Sequence, residues 1–431
     1  MNSQERRVVI TGLALHTAAG TSLEAHASSW WEGHSHFSTI DSYSTEGTSV
    51  RFAAQCPTPD LSRLPDKKVR KILTKKDLIS LVTTIAAAEH AGVTAGTVDP
   101  ERFGMYVGAG STQIGDLTPY FELVKSCVSD GVFDSARFGR DLLSLVNPMA
   151  VLTTLMNNGL CFGAISLDIR GVNGNFMDFQ VSGLRAVGEA FRALTAGRAD
   201  IVIAGGVASP VEPFHVGSGV RIGYLARTGD DGVAAEQVVR PYDLTREGTI
   251  LGEGAAYLVL EEETHARSRG APILGRIHGY GQAADGAFTF MQETHAPGLV
   301  RAMRQALDDA GESAENLGMI VGHGNGVRGA DQAEASALVE LLGKSVGRVP
   351  VTSPKGVLGE LSEPAGVVSI ALALDALGRR SVPPTFNYRQ GDAVTAQLAL
   401  SDAPQELNGT LAAVTARSFL GLASCLVVSL A

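Results

Sequence analysis

An α/β fold of two similar halves is what the sequence predicts, and three observations carry it. Ala88–Ser111 (AEHAGVTAGTVDPERFGMYVGAGS) parallels Ala306–Gly326 (ALDDAGESAENLGMIVGHGNG), each reading as helix, Ala-Gly stop, acidic loop and Gly-Met strand. Gly252–Glu261 (GEGAAYLVLE) likewise parallels the closing GLASCLVVSL, so each half ends on a hydrophobic strand. Glycine-ended apolar runs followed by helical patterns favour parallel sheets with helices on both faces. The division falls near residue 262, which gives halves 1–262 and 263–431.

Taken in order, Arg6–Gly20 (RRVVITGLALHTAAG) predicts a buried strand that ends at a glycine turn. Ser28–Gly33, with Trp30 and Trp31, predicts a short helix that packs its indoles. Pro65–Asp77 (PDKKVRKILTKKD) is a basic run, readable as a solvated helix face or as a docking patch for an acidic partner. Leu78–His90 predicts a helix that breaks at Gly92, and Phe103–Ser111 (FGMYVGAGS) a strand. Ile114, Leu117 and Phe121 then share one helical stripe. Asp200–Gly206 (DIVIAGG) is a short continuous apolar run, as a strand buried on both faces requires. Arg240–Glu261 is a loop followed by another strand.

With 45% hydrophobic and 19% charged residues, the chain has an ordinary globular composition. A net charge of −10 argues against a nucleic-acid surface. Cys56, Cys127, Cys161 and Cys425 lack metal-ligand spacing and read as buried reduced thiols; no metal is expected. No apolar run approaches the roughly 20 residues of a membrane span, and the start MNSQERRVVITGL lacks a signal-peptide core. The expectation is a soluble cytoplasmic protein.

Everything turns on Asn175–Ala190 (NFMDFQVSGLRAVGEA). AISLDIRG reads as an extended run ahead of it, and Leu184, Val187, Ala190, Phe191 and Leu194 recur as one buried helix face. Between them Gln180, Val181, Ser182 and Gly183 form a sharp bend. Such a bend aims one side chain into a cavity beside free N–H groups of the helix start, where a thiol's pKa is lowered and an oxyanion is held. The side chain offered is Gln180, and an amide is not a nucleophile. Ser182 and Asp178 flank it, and Ser182 reads either as an alternative nucleophile or as a small residue that shapes the bend.

RRVVITGL, SGLRAVGEAFRALTAGRADIVIAGG, RPYD with GEGAAYLVLE, HGNGVRGADQAEA and SPKGVLGELSEPAG follow one another in an order that resembles a β-ketoacyl synthase of the thiolase-like fold, essentially end to end. That resemblance implies duplicated α/β halves in five layers, α-β-α-β-α. It also implies a cysteine at the elbow that carries an acyl chain, and two histidines that assist decarboxylation of a malonyl unit. By motif position the cysteine falls on Gln180, the first histidine on His323 and the second on Glu360. The lysine of the second motif falls on Lys355, and the acidic pair after the first on Asp331 and Glu334. The closing glycine-rich motif reads SFLGLA, with Phe419 kept and the usual second phenylalanine replaced by Gly421, a degraded gate.

Without a thiol at 180 no acyl-enzyme forms there, and a carboxylate at 360 opposes the charge of an enolate. The chain is therefore most similar to the chain length factor, or ketosynthase β subunit, of type II polyketide synthases. The resemblance implies a heterodimer with an active ketosynthase α subunit and substrates carried on the phosphopantetheine of an acyl carrier protein, with no cofactor of its own. It also implies a tunnel that sets polyketide or polyene length. Ile114, Leu117 and Phe121 correspond to the tunnel-gating helix, with Phe121 the stop, and Leu155–Ile169 is the expected pairing surface. Retention of His323 departs from that subfamily. An alternative is a malonyl-carrier-protein decarboxylase that works through Gln180 and His323.

Overall fold

The computed structural model describes residues 6–64, 70, 72–110, 118–146, 149–228, 233–286 and 295–431. Its centre is a mixed sheet whose strands are β1 (Val8–Thr17), β2 (Phe103–Gly108), β3 (Asn173–Phe176), β4 (Ile201–Ala208) and β5 (Gly254–Glu262), then β6 (Gly275–Ala284), β7 (Leu317–Val321), β8 (Val351–Thr352), β9 (Leu411–Arg417) and β10 (Leu422–Leu430). They lie in the order β8-β7-β9-β10-β6-β1-β5-β4-β2-β3. The first half runs β1-β5-β4-β2-β3 with two antiparallel pairs and then two parallel ones. The second half runs β6-β10-β9-β7-β8 with the same sequence of pairings. The halves meet where Val8–Ile10 pair antiparallel with residues 275–277.

The two sequence repeats therefore take matching places, β2 with β7 and β5 with β10. The expectation of parallel sheets needs correction, because each half is mixed. The antiparallel strands β1, β5, β6 and β10 bring the halves together, and only the outer strands follow helical crossovers. The strands read as unbroken apolar runs because both faces are covered. β1, β2 and β4 have no residue that is not buried.

Helices supply the layers. Taking α1 as Leu23–Glu32, α2 as Lys75–His90, α3 as Thr118–Ser126, α4 as Ser135–Leu145 and α5 as Asn158–Leu167, the chain continues with α6 (Ser182–Thr195), α7 (Pro297–Ala310), α8 (Arg328–Leu342) and α9 (Ala365–Arg379). Helices α6 and α9 lie against each other and against strands of both halves, with α2 outside the first half and α7 outside the second. This gives helix, sheet, helix, sheet, helix. The middle position explains α9, in which every residue from Ala365 to Leu374 is buried. Helix α2 starts on a reciprocal capping box between Thr74 and Asp77, which satisfies two of the donors a helix start leaves open.

Several local readings change. AISLDIRG is not extended: helix α5 runs to Leu167, and only Asn173–Phe176 form the strand before the elbow. The apolar residues of that run satisfy a helix as well as a strand, and length alone does not separate the two. Cys161 is exposed while Cys56, Cys127 and Cys425 are buried. Most of the basic run lies outside the described residues. Of the part described, Arg70 is exposed, Lys75 pairs with the buried Glu253 at 2.5 Å and Lys76 is itself buried, so the run is not one solvated face. Trp30 is fully buried, and the Trp31 indole N–H donates to Asp375 at 2.8 Å. No helix among the described residues is long and apolar enough to cross a membrane.

Candidate functional site

The site is assembled where three parallel strands end. Gln180 follows β3, His323 follows β7, and Lys355 follows β8, so all three come from segments beyond strand carboxyl ends. The elbow is a single 3₁₀ turn, Phe179–Val181, that runs straight into α6. Phe179 takes a left-handed φ of 54°, a strained conformation for a bulky residue. Gly183 makes the turn possible, since a Cβ there would lie 2.2 Å from the Glu363 carbonyl oxygen. Ser182 closes the bend by accepting from the Asp178 backbone N–H at 2.7 Å. Its role is structural, one of the two readings its sequence position allows.

Gln180 is 4% exposed, and its Nε2 donates to the Tyr224 hydroxyl at 3.0 Å. Its Oε1 accepts no hydrogen bond among the described residues. Tyr224 comes from the loop after the helix Pro213–Arg221 and has no sequence signature. Its hydroxyl donates to Glu360 Oε2 at 3.1 Å and accepts from Asn325 Nδ2 at 3.2 Å. Lys355 Nζ donates to the same Glu360 oxygen at 2.8 Å and lies 2.9 Å from His323 Nδ1. His323 Nε2 is 3.7 Å from Glu360 Oε2. The structure thus brings Gln180, His323, Lys355 and Glu360 into one buried network, and adds Tyr224 and Asn325, neither of which the sequence reading singled out.

Burial, and then the Lys355 ammonium, push the His323 pKa down to about 3, so this imidazole is neutral. Burial disfavours the charged form of Glu360, but Lys355, His323 and the hydrogen bonds from Lys355 and the Ser362 N–H outweigh it and hold its pKa below the ordinary carboxylate value. Burial first, then the Glu360 charge, keep the Tyr224 hydroxyl protonated far above its usual range.

Behind His323 stands a second carboxylate layer. Glu334 accepts from the backbone N–H groups of His323 and Gly324, at 2.7 and 2.8 Å, and from the hydroxyls of Tyr242 and Thr415. Asp331 accepts from the backbone N–H groups of Tyr242, Asn325 and Gly326. These acids shape the loop that carries the histidine, and neither contacts Gln180.

The glycine-rich motif lies beside the elbow. The Phe419 ring lies tilted against that of Phe179, with centroids 4.5 Å apart, and meets Tyr224 edge-on at 6.2 Å. Gly421 has φ 77°, and a Cβ there would come within 3.0 Å of Asp285, which pairs with the buried Arg417 at 2.9 Å. A large side chain at 421 does not fit this backbone. Of the three residues expected on a tunnel-gating helix, Ile114 and Leu117 lie outside the described residues. Phe121 is on α3 and 60% exposed, in a segment from Phe121 to Phe179 that holds most of the exposed large apolar side chains among the described residues. Helix α4 in that segment buries none of its residues. Within the expected pairing surface Leu155 and Ile165 are exposed, whereas Leu160 and Leu167 face the core. Among the described residues no group of His, Cys, Asp and Glu is placed to hold a metal ion.

Residues 5–266 match the model of the β-ketoacyl synthase N-terminal domain, and residues 274–389 that of the β-ketoacyl synthase C-terminal domain. The chain is 30% identical to the 3-oxoacyl-(acyl-carrier-protein) synthase 2 of Rhizobium meliloti over 394 residues, which cover 89% of each protein. It is 26% identical to the tetracenomycin polyketide synthase ketoacyl synthase alpha subunit of Streptomyces glaucescens over 388 residues, 90% of this chain and 88% of that one. Among solved structures, the ishigamide ketosynthase/chain length factor superposes with a TM-score of 0.86 at 24% identity, over 99% of this chain and 100% of that one. That last likeness is one of fold.

Proposed function

Because the chain belongs to the β-ketoacyl synthase family, we propose that it is a non-condensing member of a ketosynthase pair, a chain length factor that shapes the tunnel into which an active partner extends a polyketide or polyene. The observation that carries this reading is the filled elbow. Gln180 stands where a nucleophile would, and its amide is bonded into a network with Tyr224 and Glu360. Covalent acyl transfer needs a thiolate or alkoxide next to a base, and Glu360 puts an ionised carboxylate 3.7 Å from the one neutral histidine of the site.

The exposed apolar segment from Phe121 to Phe179 supports pairing. Side chains such as Leu143, 81% exposed, and Ile165, 73% exposed, are costly to leave in water and are the material of a protein interface. Strand β3, at one edge of the sheet, leads from this segment into the elbow. A partner that covered it would place its own acyl chain beside α3. Phe121, on that exposed helix, then limits how far the chain reaches.

Decarboxylation of malonyl carrier protein is the second reading, favoured by the retained His323 and by the unpartnered Gln180 Oε1. The nearby Glu360 carboxylate weighs against it, because an enolate that forms beside His323 would meet a negative charge.

Co-expression with the cognate active ketosynthase and carrier protein is the test. A one-to-one complex that makes products of one length, while neither malonyl decarboxylation nor condensation occurs with this chain alone, supports the proposal. A stable monomer that never associates with a ketosynthase contradicts it.

A further inference from the structure

The hydrogen-bond directions in the network can be read from fixed backbone groups outward. The Val327 backbone N–H can only donate, and it donates to Asn325 Oδ1 at 3.0 Å, so Asn325 must turn Nδ2 toward Tyr224. At the other end, the Ser362 N–H holds Glu360 Oε1 at 2.9 Å, and the ionised carboxylate can only accept. The single Tyr224 proton therefore goes to Glu360 Oε2. A hydroxyl has one donor and two acceptor sites. With Asn325 on one lone pair, the remaining lone pair faces residue 180, and only a donor satisfies it.

We infer that Tyr224 is a positioning residue which, with its proton committed to Glu360, selects a hydrogen-bond donor at position 180 and disfavours a thiolate there. Gln180 meets the demand by donating Nε2 and turning Oε1 away, which accounts for an Oε1 that accepts no hydrogen bond among the described residues. A thiolate in the same place would face a lone pair of Tyr224 rather than its proton. Glu360, which neutralises Lys355, would also withhold the positive charge that stabilises a reactive thiolate. The inference rests on the reading of this site as non-condensing and adds what keeps it so: replacing Gln180 with cysteine alone does not restore a nucleophile.

The groups that face position 180 in this network are Tyr224, Glu360, Lys355, His323 and Asn325, with the Arg185–Asp178 pair on its own segment. The test uses the full chain and a probe that needs no partner. Iodoacetamide alkylation of Gln180→Cys is followed against pH by peptide mass spectrometry, which separates residue 180 from the exposed Cys161. In this reaction the thiolate displaces iodide, so a sulfur–carbon bond forms as the carbon–iodine bond breaks.

The expected apparent pKa for Gln180→Cys lies above the ordinary value of about 8.5. Adding Glu360→Gln frees the Tyr224 proton and the Lys355 charge, and should raise alkylation near neutral pH by about tenfold or more, one pKa unit or more. Adding Tyr224→Phe to that pair should reverse part of the gain, because the hydroxyl is then the group donating to the thiolate. A purely structural Tyr224 would leave the pH profile in place. An ordinary or lowered pKa in the single variant, or no change on adding Tyr224→Phe, overturns the inference.

If the multiple variants do not fold, Gln180→Met and Gln180→Glu carry the test. The acid should lower the unfolding midpoint more than methionine does, and the gap should widen from about pH 5 to about pH 8 as its only donor proton is lost. An equal loss at both pH values contradicts the assignment. Complex formation and product length enter none of these measurements, so their outcome does not depend on the proposed function.

Discussion

On the histidine side of the cleft, Glu334 accepts two backbone N–H groups and two hydroxyls, and Asp331 three backbone N–H groups. Across from it, among the described residues, Gln180 makes one side-chain hydrogen bond and its oxygen accepts none. Both sides are buried and both keep demanding backbone shapes, but they are held differently. The histidine side is tied down by carboxylates that accept the backbone N–H groups of its loop. The elbow is tied down by backbone geometry, with strain at Phe179 and close approach at Gly183, while its central side chain hangs on one hydroxyl. Two sides of one buried site can thus be held by different means, one by side-chain carboxylates and the other by backbone geometry.

Breaking the stronger side should cost most. Glu334→Ala strands two buried N–H groups and two hydroxyls, and about 3–5 kcal/mol or more of stability should be lost, measured by denaturant unfolding. A loss below about 1 kcal/mol would remove the distinction between the two sides. Glu360→Ala leaves Lys355 without its carboxylate, and the expected loss is about 3 kcal/mol. Glu360→Gln, which keeps the acceptor for the Ser362 N–H but not the one for Tyr224, should cost less than full truncation.

Acid should find the same boundary. The folded pKa of His323, about 3, lies below its ordinary 6.5, so the unfolded chain binds that proton first. The contribution is fully present above about pH 6.5 and is lost as pH falls toward 3, at about 1.4 kcal/mol per pH unit at most. Glu360, with its lowered pKa, acts in the same direction below its ordinary 4.5. Asp331 acts in the opposite sense: burial above all raises its pKa to about 6, and its contribution fades as pH rises through that value. His323→Gln should therefore flatten the acid limb of the stability curve relative to the parent chain. An unchanged slope would mean that His323 is not the buried neutral group described.

The smallest expected effect on stability lies outside the cleft. Phe121→Ala, at an exposed position, should change stability by no more than about 0.5 kcal/mol. In the complex with an active ketosynthase it should shift products to longer chains. Unchanged product length would remove Phe121 from the tunnel.

The frame of the molecule was largely legible, because strands buried on both faces leave unbroken apolar runs and the duplication repeats them in matching order. Gln180, His323, Lys355 and Glu360 were legible from the order of the family's motifs, the first three just beyond the end of a strand and Glu360 after the short helix Lys355–Leu358. Tyr224 was not. It reaches Gln180 from a loop with no periodicity, and its role arises only from which atoms share its hydroxyl. The left-handed Phe179 was equally hidden, since the sequence marks a bend but not which residue bears the strain. Helix α5 was misread as extended because one face of it packs on the core while the other is apolar and exposed, so no polar face marks its period.

The most direct test of the filled elbow is intact-mass measurement of the purified chain after exposure to acyl- and malonyl-loaded carrier protein. The account predicts an unmodified mass and no condensation product, with acylation confined to the partner ketosynthase when that is added. An acyl adduct on this chain, at Ser182 or elsewhere in the cleft, would contradict it.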